Sequence, residues 1–440
     1  MSVQTQISRI TAAVGAAYDA VTAKGGTAPQ AETVAGLADA IGTIPSGGGS
    51  STPVSPSDIT FYDYDGTVVA AWTLAELAGK TALPDLPSHE GLICQGWNWS
   101  LADLKTTNRK MNVGAMYITD DGKTRIYIRL EEGRTSPMLG VCPNGTVTVD
   151  WGDGTTPDTL IGTSTSTVKW TPNHAYAAPG EYVIKLSVDG AMGFYGSTST
   201  NQGSAIIRNS DGGDNRNYTY RNSVQRVEIG FGVTSIGSNA FCYCYSITKI
   251  TIPSSVTSIG INAFSGCYSI TQITIPNGVT SIGDSAFSGC HSITQITIPS
   301  SVTSIGFSAF SSCYSITQIT IPNGVTSIRS NAFYYCHSIT KITIPNGVTS
   351  IGGSAFSNCY SITQITIPSG VTSIGAGTFY NCHGVAFYDF ANHTSVPTLS
   401  NTNAFTGIAA DCEIRVPAAL VDEWKAATNW ATYADHIVGV

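Results

Sequence analysis

Residues 269–291 read SITQITIPNGVTSIGDSAFSGCH, and this unit of 23 residues recurs with few changes through the second half of a chain of 440 residues. Within it, Ile270, Ile273 and Ile275 have the spacing of a short strand with inward-facing side chains, which Pro276 then ends. One position of every unit is phenylalanine, at residues 241, 264, 287, 310, 333, 356 and 379. No single unit can bury such an apolar set by itself, so the period predicts a solenoid in which each strand hydrogen-bonds to the next at about 4.8 Å.

The unit resembles the BspA-like leucine-rich repeat, whose recurring motif is I-x-I-P-x-x-V-x-x-I-G-x-x-A-F-x-x-C. The resemblance covers residues 224–417 and implies a leucine-rich-repeat solenoid that serves binding. Each strand is expected to begin at the first apolar residue of its unit, namely at Val224, Ile247, Ile270, Ile293, Ile316, Ile339, Ile362, Val385 and Cys412. Residues 418–440 resemble the helical ending of such arrays, so we expect them to cap the last open face of the stack.

Apolar residues at the start of the chain follow a heptad, which predicts a helix with one apolar face. The heptad positions are Val3, Ile7, Ile10, Val14, Ala17 and Val21. Residues 1–45 resemble the N-terminal attachment region of bacteriophage and prophage tail proteins. The resemblance implies a helical attachment or oligomerisation segment that joins other tail or virion proteins, and the heptad allows a homotrimer. A two-helix hairpin that closes on itself is the alternative. Residues 46–57 are rich in Gly, Ser and Pro and predict a flexible linker.

Two further modules are predicted between this linker and the repeats. Residues 58–111 alternate like strands around a short helix at 73–78, which predicts a small α+β unit. Residues 112–190 contain TVTVDWGDGT at 146–155 and HAYAAPGEYVIKLSV at 174–188, and they resemble a PKD-type immunoglobulin-like β-sandwich, a domain that commonly serves as a spacer. Residues 191–223 are expected to be a connector. The fold class predicted for the whole chain is therefore mainly β and modular, with helices at the N-terminus and a helical cap after the solenoid.

Two aspartates of the predicted sandwich, Asp150 and Asp153, lie close together in the sequence. A calcium site is one interpretation. However, calcium takes six or more oxygen ligands, and only two carboxylates cluster here. We therefore prefer a turn in which both side chains accept hydrogen bonds from backbone N–H groups.

Charge and composition argue against several functions. Only 11% of the residues are charged and the formal net charge is −8, so the chain has no basic field for nucleic acid. No apolar stretch is long enough for membrane insertion, and no secretory signal opens the chain, which predicts synthesis in a cytoplasm. Between residues 227 and 390 the acids are Glu228, Asp284 and Asp389, too scattered for an acid–base pair. We expect no catalysis, no cofactor and no metal site.

Cysteine recurs in phase with phenylalanine, at residues 244, 267, 290, 313, 336, 359 and 382. Stacked units would bring these residues within disulfide range, but their Cβ vectors would run parallel into the core. The odd total of 11 cysteines and a cytoplasmic origin also favour free thiols that pack as small apolar residues. His291, His337 and His383 share one position at intervals of two units, about 10 Å apart, which is too far to share a zinc ion.

Comparison of the units with one another indicates where a ligand would bind. The strand scarcely changes, whereas the return loop varies among Tyr, Ser, Gly, Asn and His, which are common in adaptable binding loops. Drift at exposed positions would produce the same variation. The candidate contact residues are the ring that follows each cysteine and three residues of one variable position: Tyr245, Tyr268, His291, Tyr314, His337, Tyr360, His383, Ile261, Asp284 and Phe307. Such a ridge suits a bacterial cell-surface glycan or protein.

The variable loop positions share one genetic property. At the positions of residues 261, 262, 265, 266 and 268, the units contain Ser, Ile, Asp, Phe, Gly, Ala, Asn, Cys, Tyr and His. Each type is reached from an asparagine codon by changing its first two bases. This raises the hypothesis that adenine-directed mutagenesis diversified the surface.

Three functions fit these observations. The first is a phage or prophage tail protein, attached by residues 1–45, that recognises a bacterial surface ligand through the solenoid and is located on the virion. The alternatives are a bacterial surface adhesin of the BspA kind and a structural virion decoration protein. The tail-like N-terminus and the missing secretory signal favour the first.

Overall fold

The structure is a computed structural model that describes residues 58–64, 66–107, 111–195, 206–208 and 222–440. The predictions made for residues 1–45 and for the linker lie outside these residues, as does most of the predicted connector. Ser57–Val440 forms one compact unit, within which three parts are distinguished below.

Residues 58–119, here called the first module, fold around a small core of their own. The elements are β1 (Ile59–Tyr62), β2 (Val68–Trp72), α1 (Leu74–Gly79), β3 (Leu92–Trp97), α2 (Leu101–Thr107) and β4 (Met111–Thr119), and the sheet order is β2-β1-β4-β3. Thr73 and Glu76 form a capping box that fixes the start of α1. Because β4 pairs with both β1 and β3, the boundary of the first module lies after Thr119, whereas the sequence had suggested residue 111.

The next part is all β, and we call it the β5–β9 module. Its strands are β5 (Thr124–Leu130), β6 (Met138–Asp150), β7 (Asp158–Thr163), β8 (Lys169–Trp170), β9 (Gly180–Phe194) and β10 (Ile207–Arg208). β6 pairs antiparallel with β7, β8, β9 and β10, and β9 pairs antiparallel with β5.

Two rows of short strands run through the solenoid. The QIT row consists of β11 (Val224–Glu228), β13 (Lys249–Thr251), β15 (Gln272–Thr274), β17 (Gln295–Thr297), β19 (Gln318–Thr320), β21 (Lys341–Thr343), β23 (Gln364–Thr366), β25 (Phe387–Asp389), β27 (Glu413–Val416) and β28 (Ile437–Gly439). The SI row consists of β12 (Val233–Ile236), β14 (Ser258–Ile259), β16 (Ser281–Ile282), β18 (Ser304–Ile305), β20 (Ser327–Ile328), β22 (Ser350–Ile351), β24 (Ser373–Ile374) and β26 (Thr398–Leu399). Paired neighbours within each row are parallel and in register, as in Ser281↔Ser304, and the pairing of the QIT row is interrupted between β13 and β15 and between β21 and β23.

From β13 to β25 the strands of the QIT row begin two residues later than the apolar pattern suggested, whereas β11 begins at Val224 as predicted and β27 begins one residue later than predicted. Ile293 is buried, but its N–H donates to Cys290 O within a turn, and strand pairing starts only at Gln295. The SI row was not predicted as a strand. It has only two residues in most units, too few for a periodic signal.

The β5–β9 module closes the first end of the stack. β5 pairs antiparallel with β11, and β9 pairs parallel with β12, so two strands that pair with each other continue the two rows of the solenoid. Side chains of the module such as Ile126 and Leu186 belong to the same hydrophobic core as the repeats. This part of the chain therefore covers the open end of the solenoid, where the resemblance to a PKD-type domain had implied a spacer.

The second end is closed by residues 418–440. They contain a 3-10 turn (Ala418–Leu420), α3 (Val421–Ala426), a 3-10 helix (Trp430–His436) and β28, which pairs parallel with β27. Trp424 and Trp430 are buried against the last unit, and Trp430 Nε1 donates to Pro397 O at 2.8 Å. The segment therefore covers the stack as predicted, and its final strand also adds one more rung to the QIT row.

The core of the solenoid is a ladder of phenylalanine rings. From Phe241 to Phe379 successive ring centroids are 5.3 to 5.7 Å apart, with interplanar angles of 2 to 8°. Beside it, each cysteine thiol donates to the phenylalanine carbonyl of the preceding unit, as Cys290 Sγ does to Phe264 O at 3.2 Å. All eleven cysteines are free thiols. This arrangement confirms that the cysteines pack as free thiols, and from Cys267 to Cys382 each thiol donates to a backbone carbonyl.

The first module packs against the QIT row of the early units. Trp99 Nε1 donates to Ile298 O at 2.9 Å, and Gln272 Nε2 donates to Asp63 O at 2.7 Å. Burial of equivalent residues therefore changes along the row: Gln272 and Thr297 are buried, whereas Gln364 and Thr366 are exposed. The QIT face is thus covered at its start and open toward its end.

Replacing Phe310 by alanine should lower the free energy of unfolding by about 3–5 kcal/mol, because the ring is fully buried and its loss leaves a cavity. Native-state hydrogen exchange should rise mainly in the adjacent units, since each unit contacts only its neighbours. Phe307→Ala is the matched control and should change stability by no more than about 0.5 kcal/mol, because Phe307 is exposed. Faster exchange spread evenly over the array would contradict this prediction.

Replacing Gly114 by alanine should loosen the first module from the solenoid. A Cβ atom at Gly114 would lie 2.5 Å from Thr274 Oγ1 and 2.6 Å from Thr297 Oγ1, closer than packed atoms allow. Hydrogen exchange should accelerate in β15 and β17 but not in β21, which the module leaves exposed. Gly79→Ala is the control, since nothing lies within 4 Å of its added Cβ; equal effects of the two variants would refute the docking interpretation.

Candidate functional site

The rings that follow the cysteines form a second ladder, outside the core. From Tyr268 to His383 tyrosine and histidine alternate, with centroids 4.5 to 5.2 Å apart and interplanar angles of 4 to 23°. Tyr245 extends the ladder at its start, tilted by 32° to Tyr268. The structure thus brings together all seven predicted ring residues in one continuous row, which we call the Tyr/His ladder.

Stacking decides what the Tyr/His ladder can offer to a ligand. Each inner ring is covered on both faces, as His291 is by Tyr268 and Tyr314. The edges remain accessible, and Tyr268 keeps 40% of its surface exposed. The ladder therefore presents a row of phenol and imidazole edges, one per unit, which can donate and accept hydrogen bonds. It does not offer a free ring face between these members.

Tyrosine and histidine alternate along this ladder over six units, whereas the residue after the proline alternates only over the first four, as Ser254, Asn277, Ser300 and Asn323. At the position of Ile261 the units contain Ser, Ile, Asp, Phe, Ser, Gly and Ala in chain order, which does not alternate. A duplication of two units at a time would have made every variable position alternate. The Tyr–His pairs lie nearly parallel, whereas the Tyr245–Tyr268 pair is tilted, so close stacking of unlike rings is a sufficient physical reason for the order.

The other three predicted contact residues are Ile261, Asp284 and Phe307. They lie near the start of the loop segment whose last residue is the ring of the Tyr/His ladder. Ile261 and Phe307 are exposed, at 49% and 42%. Asp284 Oδ1 accepts hydrogen bonds from Phe307 N at 2.7 Å and from Arg329 Nη1 at 3.1 Å. We call the surface formed by residues 260–268 and their equivalents in the other units the loop face.

The loop face contains most of the exposed apolar surface of the solenoid. Among the residues that the structure describes, twelve large apolar side chains are exposed, and seven of them belong to this face. The seven are Tyr243, Ile261, Tyr268, Phe307, Tyr314, Tyr360 and Tyr380. A concentration of this kind is typical of an interaction surface.

Backbone geometry limits two of the five variable positions. The equivalents of residue 262 and of residue 266 all have positive φ, as in Asn262 (53°) and Gly266 (72°), a region that favours Gly and Asn. Asn and Gly at position 262 are therefore explained by the backbone, whereas Ser285, Ser308 and Ser354 are not. At position 266, however, Tyr243 and Tyr335 also have φ of 59°, where a bulky side chain is disfavoured. The diversification hypothesis thus depends mainly on positions 261, 265 and 266.

Ionisation supports a packing role for the cysteines. Burial raises the pKa of the Cys290 and Cys336 thiols to about 12, so they remain protonated at neutral pH and are poor nucleophiles or metal ligands. Within the described ranges, no group of three or more His, Cys, Asp or Glu residues could hold a metal ion.

The aspartates of the predicted calcium site are occupied by the turn. Asp150 Oδ1 accepts from Gly152 N at 2.9 Å, and Asp153 Oδ1 accepts from Thr155 N at 3.1 Å. The second Asp153 oxygen lies 2.7 Å from His174 Nε2. These contacts confirm the turn interpretation.

A second polar surface lies on the open end of the QIT face. A groove of about 610 Å³ there is lined by Lys341, Thr343, Gln364, Thr366 and Asn392, among others. Comparison of the units could not single out this groove, because most of its repeat positions carry the same residue types in the units that the first module covers.

No helix in the described part of the chain is long and apolar enough to cross a membrane.

The two rows of parallel strands, the 23-residue period and the buried ladders define a leucine-rich-repeat solenoid. Residues 214–339 and 281–412 match the family model for the BspA type leucine rich repeat region. The solenoid is therefore a BspA-type leucine-rich repeat region.

Several solved structures resemble the chain in part. A leucine-rich repeat protein from Bacteroides ovatus is 27% identical over 45% of this chain and 56% of that one, with a TM-score of 0.37. A leucine-rich repeat protein of T. pallidum is 32% identical over 36% of this chain and 74% of that one, with a TM-score of 0.33. A leucine-rich cell surface protein from Faecalibacterium prausnitzii is 26% identical over 44% and 73%, with a TM-score of 0.23. No curated protein matches the chain.

Stability should fall as the pH drops below about 6.5, because the Tyr/His ladder disfavours protonated histidine. Desolvation lowers the pKa of His291 and His337 from its usual value of 6.5, so the unfolded chain takes up protons first. The loss of stability accumulates as the pH falls from 6.5 to the lowered pKa of these two histidines.

Thermal unfolding between pH 7.5 and 5.5 measures this effect. The double variant His291→Tyr/His337→Tyr keeps a ring at both positions and should flatten the decline. His393, whose pKa is also lowered by burial, should leave a residual slope. A decline as steep as that of the parent protein would disprove the assignment.

Proposed function

We propose that this chain is a non-catalytic binding protein of the cell-surface adhesin kind, and that its loop face contacts a bacterial surface glycan or protein. The observation that carries the proposal is the concentration of exposed apolar and aromatic residues on that face of a stack whose other positions scarcely vary. A BspA-type repeat region agrees with this role. The tail-protein hypothesis depended on residues 1–45, which lie outside the described part of the chain, and the matches above concern the repeats.

The loop face is favoured over the QIT face for a structural reason. The first module covers the QIT row in the early units, where Gln272 and Thr297 are buried, so only the later units could admit a ligand there. The loop face is open along the whole array, from Tyr243 to Tyr380. Exposed aromatic groups of this kind combine contact area with low side-chain entropy, which suits recognition.

Replacing Ile261 and Phe307 together by serine should weaken binding to fixed bacterial cells and to arrays of their surface polysaccharides by about tenfold or more, the loss typical of truncating exposed contact residues. Serine already occupies this position as Ser238 and Ser330, and neither side chain belongs to a ladder, so the melting temperature should not change. The control Gln364→Ser/Thr366→Ser alters the open QIT face and should bind normally. If the control loses binding while the loop variant keeps it, the ligand surface is the QIT face.

A further inference from the structure

One unit of the solenoid breaks the repeat at a position where the fold calls for glycine. The residue that follows the SI strand is glycine at 237, 260, 283, 306, 352 and 375, serine at 400 after the last SI strand, and arginine at 329. A Cβ atom at Gly306 would lie 2.5 Å from Asp284 N, and one at Gly352 would lie 2.5 Å from Ser330 N. Contacts this short require the neighbouring backbone to move.

The arginine also interrupts the backbone ladder. The glycines from 260 to 375 donate to an isoleucine carbonyl of the preceding unit, as Gly306 N does to Ile282 O at 2.9 Å and Gly352 N to Ile328 O at 2.7 Å, and Ser400 N donates likewise to Ile374 O at 2.9 Å. Among the described residues, Arg329 N makes no such bond to Ile305 O. The substitution therefore disfavours folding locally. Residues that break a local rule in this way are often found at functional sites.

The side chain of Arg329 borders a groove lined by hydroxyl groups. The groove, of about 330 Å³, runs across four consecutive units on the side of the SI row. Arg329 is its only charged lining residue, and the polar side chains around it are Ser327, Ser330, Ser350, Ser373 and Ser400. A single cation among hydroxyl donors is the donor set that proteins use for oxyanions.

The protein itself supplies one competing anion. Asp284 Oδ1 lies 3.1 Å from Arg329 Nη1, and the two side chains are 41% and 54% exposed. An ion pair this exposed contributes little and exchanges readily. An incoming anion that engages two guanidinium N–H groups at once can therefore displace it.

We propose that the groove beside Arg329 is a binding site for an oxyanion, namely the carboxylate, phosphate or sulfate group of an acidic polysaccharide. The guanidinium group binds the anion in a forked geometry, and the serine hydroxyls of successive units donate to its remaining oxygens and to neighbouring sugar hydroxyls. The site lies apart from the Tyr/His ladder, at the edge of the loop face to which Arg329 and Ser330 belong, and it binds through a cation and hydroxyl groups where the rest of that face offers exposed apolar side chains.

The test is a calorimetric titration of the full-length protein with each of three probes, namely inorganic phosphate, sulfate and an oligosaccharide of uronic acids. Arg329→Gly restores the residue of the other units and should weaken binding by about tenfold or more, the effect of removing a charged hydrogen-bond partner. Its melting temperature should equal or exceed that of the parent protein, so the loss cannot be attributed to misfolding. The three probes distinguish carboxylate from phosphate and sulfate as the preferred group.

Two further variants separate a site from a general effect of charge. Lys341→Gln removes one positive charge elsewhere and restores the residue of Gln272, Gln295, Gln318 and Gln364, so it should bind as the parent does. Asp284→Ser removes the competing carboxylate and should strengthen binding severalfold. Equal binding by Arg329→Gly and the parent, an equal loss in Lys341→Gln, or no binding of any probe by the parent protein would each overturn the proposal.

Discussion

Every other feature of this molecule depends on the stacking of one unit on the next. A unit of 23 residues has too little surface to enclose its own isoleucine and phenylalanine side chains, so each unit is buried by its two neighbours. The stacked rings from Phe241 to Phe379 are the clearest expression of that dependence. It also creates two open ends, and the protein covers one with strands β5 and β9 of the β5–β9 module and the other with Trp424 and Trp430.

The same dependence determines where the units can differ. A side chain inside the stack must match the units above and below it, so the phenylalanine and cysteine positions do not vary. Outside the core, the Tyr/His ladder is still limited by stacking, and the equivalents of Asn262 are limited by a positive φ. The position of Ile261 is free of both limits and varies most. Variation on the loop face is thus a mixture of structural tolerance and surface chemistry.

The sequence predicted the solenoid, its limits and its ladders because a period repeated over many units is a strong signal. It did not predict the SI row, since two residues such as Ser281 and Ile282 carry no periodic pattern. It could not show that Trp99 and Gln272 meet, because contacts between distant segments follow no local rule. Arg329 was visible as an exception in the sequence, but only the short Cβ contacts of its equivalents showed that the exception has a structural cost.

The first module covers a fixed set of units at the start of the array and leaves the later units uncovered. Its hydrogen bonds to the solenoid reach from Ser254 to Ser300, so the number of units beneath it is set by the size of the module. Beyond them, a unit could be gained or lost by recombination between near-identical DNA repeats, and both caps would still fit. Change in array length would therefore be accommodated at one end, where it would lengthen or shorten the open surface and leave the covered part unaltered.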